Sequence, residues 1–406
     1  MRLHTVGSEA VLVLGSGATA GSGFLAKDSH NADFAPPTDK EFWKTIDAVA
    51  GRANIQTPAL DGLRKRLRLD SDALGLEESW NIIAIHKKYA ARNFYALDRK
   101  VRDELYAVSS IRRWVDGRGL AVEYAEATQA ELEMLQLLTH MYGRSIIASS
   151  GRGVYKALVD SIEATARQFS VSALTYNYDC AFEMEMCIKA RDFYYPNFEP
   201  FPMIKNSIPV LKLHGSLNWA HGRDGFVRPR LRRRGSAVLE QNDMRASLFD
   251  PGEIGNFGGF RNSHIVSPDD MENWSPMVIP PVLFKEELFF NTGQEEVRGH
   301  FENIWRLALD RVRRADLIVF VGYSFPLGDP HARWLFNNKR EGSQVFVINV
   351  AAALPSENRL KAILGEHTRF CYCGFDGSGP CFQKYLTPSA RLYSCDSHPV
   401  DSAVSV

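Results

Sequence analysis

The sequence contains no apolar run of the roughly 18–20 residues that a membrane-spanning helix requires. Its first residues also lack the charged and then apolar arrangement of a signal peptide. From these two absences we expect a cytoplasmic protein that makes no contact with a membrane.

Excess charge of one sign is missing as well, because 48 Lys and Arg residues balance 48 Asp and Glu residues. Such a chain has no global attraction to nucleic acid or to acidic lipid. Five arginines do lie within residues 228–234, where they could dock phosphates or an acidic partner. A run of this kind belongs more often to a solvated loop, and no aromatic residues alternate with it, so nucleic-acid binding is not directly indicated.

Cysteine is sparse, with six scattered residues, and we therefore expect free thiols in a reducing compartment. One group, His367, Cys371, Cys373 and Cys381, has the ligand types that zinc takes. A Cys-Tyr-Cys segment at the end of an apolar run is more typical of two small residues on one face of a strand. We expect no metal and keep the zinc site as the alternative.

What the sequence does contain is an alternation of short apolar runs and amphipathic segments. The runs at 316–321 and 344–348 are almost continuously apolar, which is typical of parallel strands buried on both faces. Helical periodicity occurs before, between and after these runs, at 301–314, 330–339 and 358–364. This order predicts an α/β fold, with a Rossmann-like doubly wound parallel sheet.

Two stretches depart from that alternation. Residues from about 40 to 150 have helical spacing with little Gly or Pro, and they predict a helical insertion that covers a crevice or builds an oligomer interface. Residues from about 220 to 275 predict an irregular, Arg-rich loop. We therefore assign 1–392 to one domain with these two interruptions, and 393–406 to a loose C-terminal tail.

Small or polar residues follow five of the predicted strands. The strand at 10–14 leads into a glycine-rich turn, and glycine lets backbone N–H groups approach a phosphate closely. The other four strands are followed by polar positions, which are Asn177 and Asp179, His214, Gly322 and Ser324, and Asn349. Each has an ordinary structural explanation, since Asn and Asp cap helices and a buried His is more often a core residue. Together, at the carboxyl ends of parallel strands, they predict one crevice suited to a dinucleotide.

These segments resemble a known family. The ordered series Gly-Ser-Gly-Ala-Thr at 15–19, Thr-Tyr-Asn-Tyr-Asp at 175–179, Leu-His-Gly-Ser-Leu-Asn-Trp at 213–219 and Val-Gly-Tyr-Ser at 321–324 is similar to the SIR2 (sirtuin-like) superfamily. In particular, it resembles the bacterial SIR2-like proteins of anti-phage defence systems. The resemblance covers residues from about 10 to 375, and residues 175–179 followed by His214 and Gly215 are its specific part.

The resemblance implies that NAD is the substrate and that the carboxyl ends of the strands bind it. It implies that the residues of the glycine-rich turn bind the phosphates; these are Gly15, Ser16, Gly17, Ala18 and Thr19. It also implies that Gly322 and Ser324 contact phosphate or ribose, and that Asn349 contacts the adenosine ribose.

The resemblance also implies three catalytic residues. Asn177 would lie beside the nicotinamide ribose and place the attacking water, Asp179 would fix that pocket, and His214 would be the general base. The chemistry is consistent with these residue types, because nicotinamide leaves without a strong acid while a base near neutral pKa activates the water.

Two departures from the deacylating sirtuins are visible. The deacylases carry a four-cysteine zinc module after the His-Gly segment, whereas no cysteine lies between His214 and Pro280. Residues 21–30 also do not reproduce the Ile-Pro-Asp-Phe-Arg segment of the deacylases. We therefore expect an NAD glycohydrolase that depletes NAD in anti-phage defence. The resemblance implies a homo-oligomer and a partner protein, which would be a HerA-like ATPase or another component of a defence system.

Two other functions stay open at this point. One is an NAD-dependent protein deacylase or ADP-ribosyltransferase, which the missing cysteines disfavour. The other is a subunit that senses NAD or ADP-ribose without turnover, which the presence of both Asn177 and His214 disfavours.

Overall fold

A computed structural model describes eighteen segments of the chain, and the structural statements below refer to them. They are residues 8–20, 25–27, 33–34, 42–53, 55–69, 75–95, 119–143, 145–146, 154–166, 169–189, 191, 193–196, 207–222, 227–229, 274–279, 295–325, 329–349 and 357–372. The interior of the predicted Arg-rich loop, including residues 230–273, lies outside them, as do the C-terminal tail, Cys373 and Cys381.

The described strands are β1 (Ser8–Leu14), β2 (Leu25–Lys27), β3 (Asp33–Phe34), β4 (Ser145–Ile146), β5 (Phe169–Thr175), β6 (Phe193–Tyr194), β7 (Ile208–Lys212), β8 (Gly215–Gly222), β9 (Val227–Pro229), β10 (Trp274–Val278), β11 (Ala315–Val321), β12 (Gln344–Ile348) and β13 (Arg369–Cys371). The described helices are α1 (Ser16–Ala20), α2 (Phe42–Ala53), α3 (Pro58–Leu67), α4 (Leu76–Tyr95), α5 (Gly119–Gly143), α6 (Val154–Ala166), α7 (Ala181–Ile188), α8 (Glu295–Arg314), α9 (Pro330–Asn337) and α10 (Glu357–Leu364).

Seven of the strands form one parallel sheet in the order β13-β12-β11-β1-β5-β7-β6. The predicted Rossmann-like α/β fold is confirmed. The central strand β1 is buried from Ala10 to Leu14, as expected for a strand covered on both faces. From β1 the chain extends the sheet first toward β5 and later toward β11, so the topological switch point lies where β1 ends.

Three strands that follow the crevice residues do not belong to this sheet. β8 begins at Gly215, directly after His214, and pairs antiparallel with β9 and β10. The apolar run at 277–284, in which prolines favour a strand edge or end, overlaps β10 only at Met277 and Val278. β10 is an outer strand of the small antiparallel sheet and not part of the parallel one, and Pro276 suits an outer strand.

The helical stretch has a hydrophobic core of its own. Helices α2, α3, α4 and α5 bury a cluster that includes Phe42, Leu63, Trp80 and Met134. Residues 96–118, the second half of one long predicted helix, lie outside the described residues. Within the described part the segment is not purely helical, since β4 pairs with β2.

The cysteine expectation needs one correction. Cys180 is a buried free thiol, as expected, but Cys371 is disulfide-bonded. The Cys371 sulfur is therefore not free to bind zinc in this structure. No described helix is both long enough and apolar enough to cross a bilayer.

A close backbone contact joins the ends of β1 and β11. Gly15 N–H donates to the Val321 carbonyl and Gly17 N–H donates to the Gly322 carbonyl, both at 3.0 Å. Gly322 has φ +63, and a Cβ added to it would lie 2.1 Å from the backbone nitrogen of Ala18. Glycine is needed here both for its conformation and for the space.

We expect Gly322→Ala to lower the free energy of unfolding by about 4 kcal/mol or more, because the added methyl must displace backbone. Gly342→Ala is the matched control, since Gly342 has φ +83 but nothing within 4 Å of the added Cβ. The control should lose only about 1–2 kcal/mol from conformational strain. Urea unfolding of the two variants checks this, and equal losses would show that the close contact is unimportant.

The second prediction concerns pH and His300, which packs edge-on against Trp219 with ring centroids 5.6 Å apart. Burial lowers the pKa of His300 from 6.5 to about 4. The unfolded chain therefore takes up a proton in this window that the folded protein does not, and stability falls as pH drops from 6.5 toward 4. The loss attributable to His300 is about 3 kcal/mol.

His300→Phe keeps an aromatic ring against Trp219 and removes the titration, so it should lose less stability on acidification than the parent. Urea unfolding at about pH 7 and about pH 4.5 measures the difference. His367→Gln, at an exposed position, provides the control, and it should lose as much stability as the parent between the two pH values. A parallel loss in His300→Phe would contradict the assignment.

Candidate active site

Five neighbouring strands, β12, β11, β1, β5 and β7, end at the same edge of the sheet because they are all parallel. The predicted strand-end residues therefore lie along one edge. They are not equally close to one another: those after β5 and β11 contact the turn after β1, His214 contacts the tyrosines after β5, and Asn349, after β12, lies two strands from β1.

Asn177 lies immediately after β5 and reaches across to the turn after β1. Its Nδ2 donates to the Gly15 carbonyl at 2.9 Å, to Thr19 Oγ1 at 3.0 Å and to Tyr155 OH at 3.1 Å. Among the described residues no hydrogen bond reaches Asn177 Oδ1, although the side chain is buried. These hydrogen bonds thus hold the nitrogen side of the amide, and Oδ1 can accept a hydrogen bond from a ligand.

Asp179 completes the same network. Thr19 Oγ1 donates to Asp179 Oδ2 at 3.0 Å, so the Tyr155 hydroxyl, 2.8 Å from Thr19 Oγ1, must donate to it. Asp179 Oδ1 accepts the Ala181 N–H at the start of α7, at 2.9 Å. Burial raises the pKa of the Asp179 carboxyl, and the charge of Lys212 offsets part of that effect. Asp179 therefore joins Thr19 to the start of α7, and its role in fixing an NAD pocket stays a prediction.

His214 lies after β7 and is paired with a carboxylate that the sequence analysis did not single out. His214 Nε2 is 3.2 Å from Asp329 Oδ2, and both side chains are buried. Asp329 also caps α9, because its Oδ1 accepts the Ala332 N–H at 3.2 Å. A neutral imidazole that donates its Nε2 proton to Asp329 carries its basic lone pair on Nδ1.

Two tyrosines join the β5 end to the β11 end across β1. Tyr176 and Tyr323 stack with ring centroids 4.3 Å apart, and the His214 ring meets Tyr176 edge-on at 5.0 Å. The Tyr323 hydroxyl donates to Asp329 Oδ2 at 3.4 Å. Together with the His214–Asp329 pair, these contacts close a ring of four side chains that includes the candidate base.

The glycine-rich turn uses much of its backbone internally. The N–H groups of Gly15 and Gly17 bond to the β11 end, and Ala18 N–H donates to the Gly15 carbonyl. Thr19 Oγ1 is engaged with Asn177 and Asp179. In this conformation the exposed side chain of Ser16 is the part of the turn best placed for a phosphate.

The remaining predicted residues lie on the other side of β1. Gly322 packs against the turn, Ser324 is half-buried beside it, and Asn349 is buried with its backbone N–H bonded to the Cys371 carbonyl. None of these three has a described contact with Asn177 or His214. Their distance along the edge suits an extended ligand rather than a compact one.

The helical insertion reaches this edge. Leu76, the first residue of α4, and Val278 of β10 pack against Tyr178, whose ring lies 6.1 Å from that of His214. Of the two roles left open for the insertion, the structure supports contact with the crevice.

Two residues of the site were missed at the sequence level. Asp329 stands before a Pro that begins a helix, which is a recognisable capping signal, but nothing in the sequence placed it beside His214. For Tyr155, the sequence predicted only a place in an amphipathic helix. Burial and then the Asp179 charge raise the pKa of Tyr155 well above its ordinary value, so it acts as a neutral donor.

No group of three or more potential metal ligands occurs among the described residues. The arrangement offers a ligand at this sheet edge two groups: the carboxamide oxygen of Asn177, and the imidazole of His214, which is oriented by a carboxylate.

The hydrogen bond between the Thr19 and Tyr155 hydroxyls should make their energetic contributions interdependent. Tyr155→Phe and Thr19→Val each remove a buried hydroxyl and should each lower the free energy of unfolding by about 1–2 kcal/mol. Since the two hydroxyls bond directly, the double variant should lose about 0.5–1.5 kcal/mol less than the sum. Urea unfolding of the four proteins measures this, and strict additivity would contradict the contact.

No protein-family model matches the chain, and no curated protein sequence matches it. Among solved structures, one described as the structural basis of sirtuin substrate affinity is similar over 88% of this chain and 91% of its own chain. The sequence identity is 10% and the TM-score is 0.30. A likeness of this size carries no argument about function, which has to rest on the site.

Proposed function

We propose that the chain is a SIR2-like NAD glycohydrolase that cleaves NAD to nicotinamide and ADP-ribose. The observation that carries the proposal is the placement of Asn177 and the His214–Asp329 pair at neighbouring strand ends beside a topological switch point. A polar pair of this kind next to such a crevice is the usual setting of nucleotide chemistry in open α/β sheets.

Asn177 has the role of orienting the water. Its Nδ2 is fixed by three acceptors, so its Oδ1 can accept a hydrogen bond from a water or ribose hydroxyl without rotating. A neutral amide orients that group without placing a charge beside the ribose, where positive charge develops as the bond to nicotinamide breaks.

His214 has the role of general base. Water forms a bond to the ribose C1′ while the bond from C1′ to the nicotinamide nitrogen breaks, and nicotinamide leaves as a neutral molecule with the bonding electron pair. The proton of the water passes to His214, and Asp329, 3.2 Å away, stabilises the imidazolium that results.

A deacylase or ADP-ribosyltransferase is the second candidate. It is less well supported because β8 continues directly from the His214 turn into a small antiparallel sheet, and the sequence from His214 to Pro280 has no cysteine for a zinc module. The roles implied by the resemblance in anti-phage defence, in homo-oligomers and beside a HerA-like ATPase remain predictions.

The test is to incubate the purified chain with NAD and to quantify nicotinamide and ADP-ribose by chromatography. The parent should form both products in equal amounts. His214→Ala should lower kcat about 10²–10⁴-fold because it removes the base. Asn177→Ala should also lower kcat, and Asp329→Asn should lower it about tenfold or more because the imidazole loses its orienting carboxylate.

The matched control is His367→Ala, which removes an exposed histidine away from the sheet edge and should leave kcat unchanged. NAD binding without nicotinamide release, unaffected by His214→Ala, would instead identify a sensing subunit. Transfer of ADP-ribose or removal of an acyl group in place of hydrolysis would identify the second candidate.

A further inference from the structure

A buried ion pair lies directly behind the candidate site. Lys212, the last residue of β7, is 0% exposed, and its Nζ is 3.0 Å from Glu183 Oε1, which belongs to a side chain that is 1% exposed. The Tyr195 hydroxyl donates to the same Glu183 oxygen at 3.1 Å. Burial of the Lys212 ammonium opposes its charge, but Glu183 and the other neighbouring groups outweigh this and raise the pKa of Lys212.

The pair connects the two strand ends that carry the chemistry. Besides Glu183, Lys212 Nζ donates to the backbone carbonyl of Asp179, two residues after Asn177. Lys212 itself is two residues before His214. One side chain therefore ties the end of β5 and the start of α7 to the end of β7.

Stability alone is a weak reason for such a pair. Removing two charges from water is costly, and apolar residues of similar volume often replace a buried ion pair without loss of stability. Directional bonds differ from apolar contacts in fixing one arrangement of the groups they join. Here two of those groups, the Asp179 carbonyl and Lys212, lie two residues from Asn177 and from His214 respectively.

We infer that Lys212 and Glu183 are positioning residues that hold the Asn177–Asp179 segment and the His214 turn in one fixed arrangement. The expected effect of these residues on turnover rests on the proposed NAD hydrolysis. Their expected effect on the arrangement of the two segments does not. Neither side chain touches the crevice, so they act through Asp179 and His214 and not on the substrate.

The structure provides a local reporter. Cys180 lies between Asp179 and α7, is 1% exposed, and has its Sγ 3.7 Å from Ser216 Oγ, beyond the His214 turn. Burial raises the pKa of the Cys180 thiol to about 12. Since the thiolate is the reactive form, alkylation of Cys180 requires the two segments to separate.

The experiment compares the parent with an apolar triple variant, Lys212→Met, Glu183→Met and Tyr195→Phe. The triple variant removes both charges of the pair and the hydroxyl together, so neither Lys212 nor Glu183 is left buried without its partner. Alkylation of Cys180 by N-ethylmaleimide is followed by peptide mass spectrometry at increasing urea, and NAD turnover is measured alongside. Gly342→Ala is the control, because its substitution lies in a turn away from the strand ends.

We expect the triple variant to label Cys180 about tenfold faster than the parent, with a weak dependence on urea that indicates local opening. Its kcat should fall about a hundredfold while KM changes less than about threefold, because misplaced groups affect turnover more than binding. The control should match the parent in labelling at low urea and in kcat.

Labelling at the parent rate, or only with the full urea dependence of global unfolding, would overturn the inference. Unchanged kcat in a variant that opens locally would overturn it as well. If the parent itself does not hydrolyse NAD, the proposed function fails, while the labelling of Cys180 still decides whether the pair holds the strand ends together.

Discussion

Where β1 and β11 end, two backbones meet with no side chain between them. A Cβ on Gly15 would lie 2.5 Å from the Gly322 carbonyl oxygen, and one on Gly322 would lie 2.1 Å from the Ala18 nitrogen. Because Gly15 has no side chain, Tyr176 and Tyr323 from the flanking strands can stack across the end of β1. That stack supports the His214 ring, and Tyr323 also bonds to Asp329. The candidate base, which follows β7, thus depends on a glycine contact at the end of β1, two strands away.

The polar side chains at this edge are buried yet almost fully bonded to one another. Asn177, Thr19, Tyr155 and Asp179 form one network, and Lys212 joins Asp179 to the His214 strand. Buried polar groups of this kind cost free energy unless they are paired, and a fully paired network is rigid. The exception is Asn177 Oδ1, which has no described partner. A network that fixes the nitrogen side of Asn177 and leaves its Oδ1 for a ligand is a preorganised arrangement of the kind that catalysis uses.

The sequence predicted the strands of the sheet well wherever burial on both faces left a continuous apolar run. The predicted strand at 344–348 coincides with β12, and that at 316–321 with all but one residue of β11. It did not predict the small antiparallel sheet of β8, β9 and β10, whose short strands contain Gly and Pro. It also expected free thiols, whereas Cys371 is disulfide-bonded, a pairing that depends on spatial proximity and not on spacing along the chain.

For the site, the sequence by itself determined which residue types stand at the strand ends, since Asn177, Asp179 and His214 each follow an apolar run that could only be a strand. It also predicted a parallel sheet, and the structure shows the strand order that brings those ends to one edge. Only the tertiary structure decided the partners. Asp329 reaches His214 from 115 positions further along the chain, Tyr155 reaches Asn177 from the preceding helix, and Lys212 finds Glu183 in the interior. Such pairings depend on how helices pack across the sheet, and local sequence carries no information about that packing.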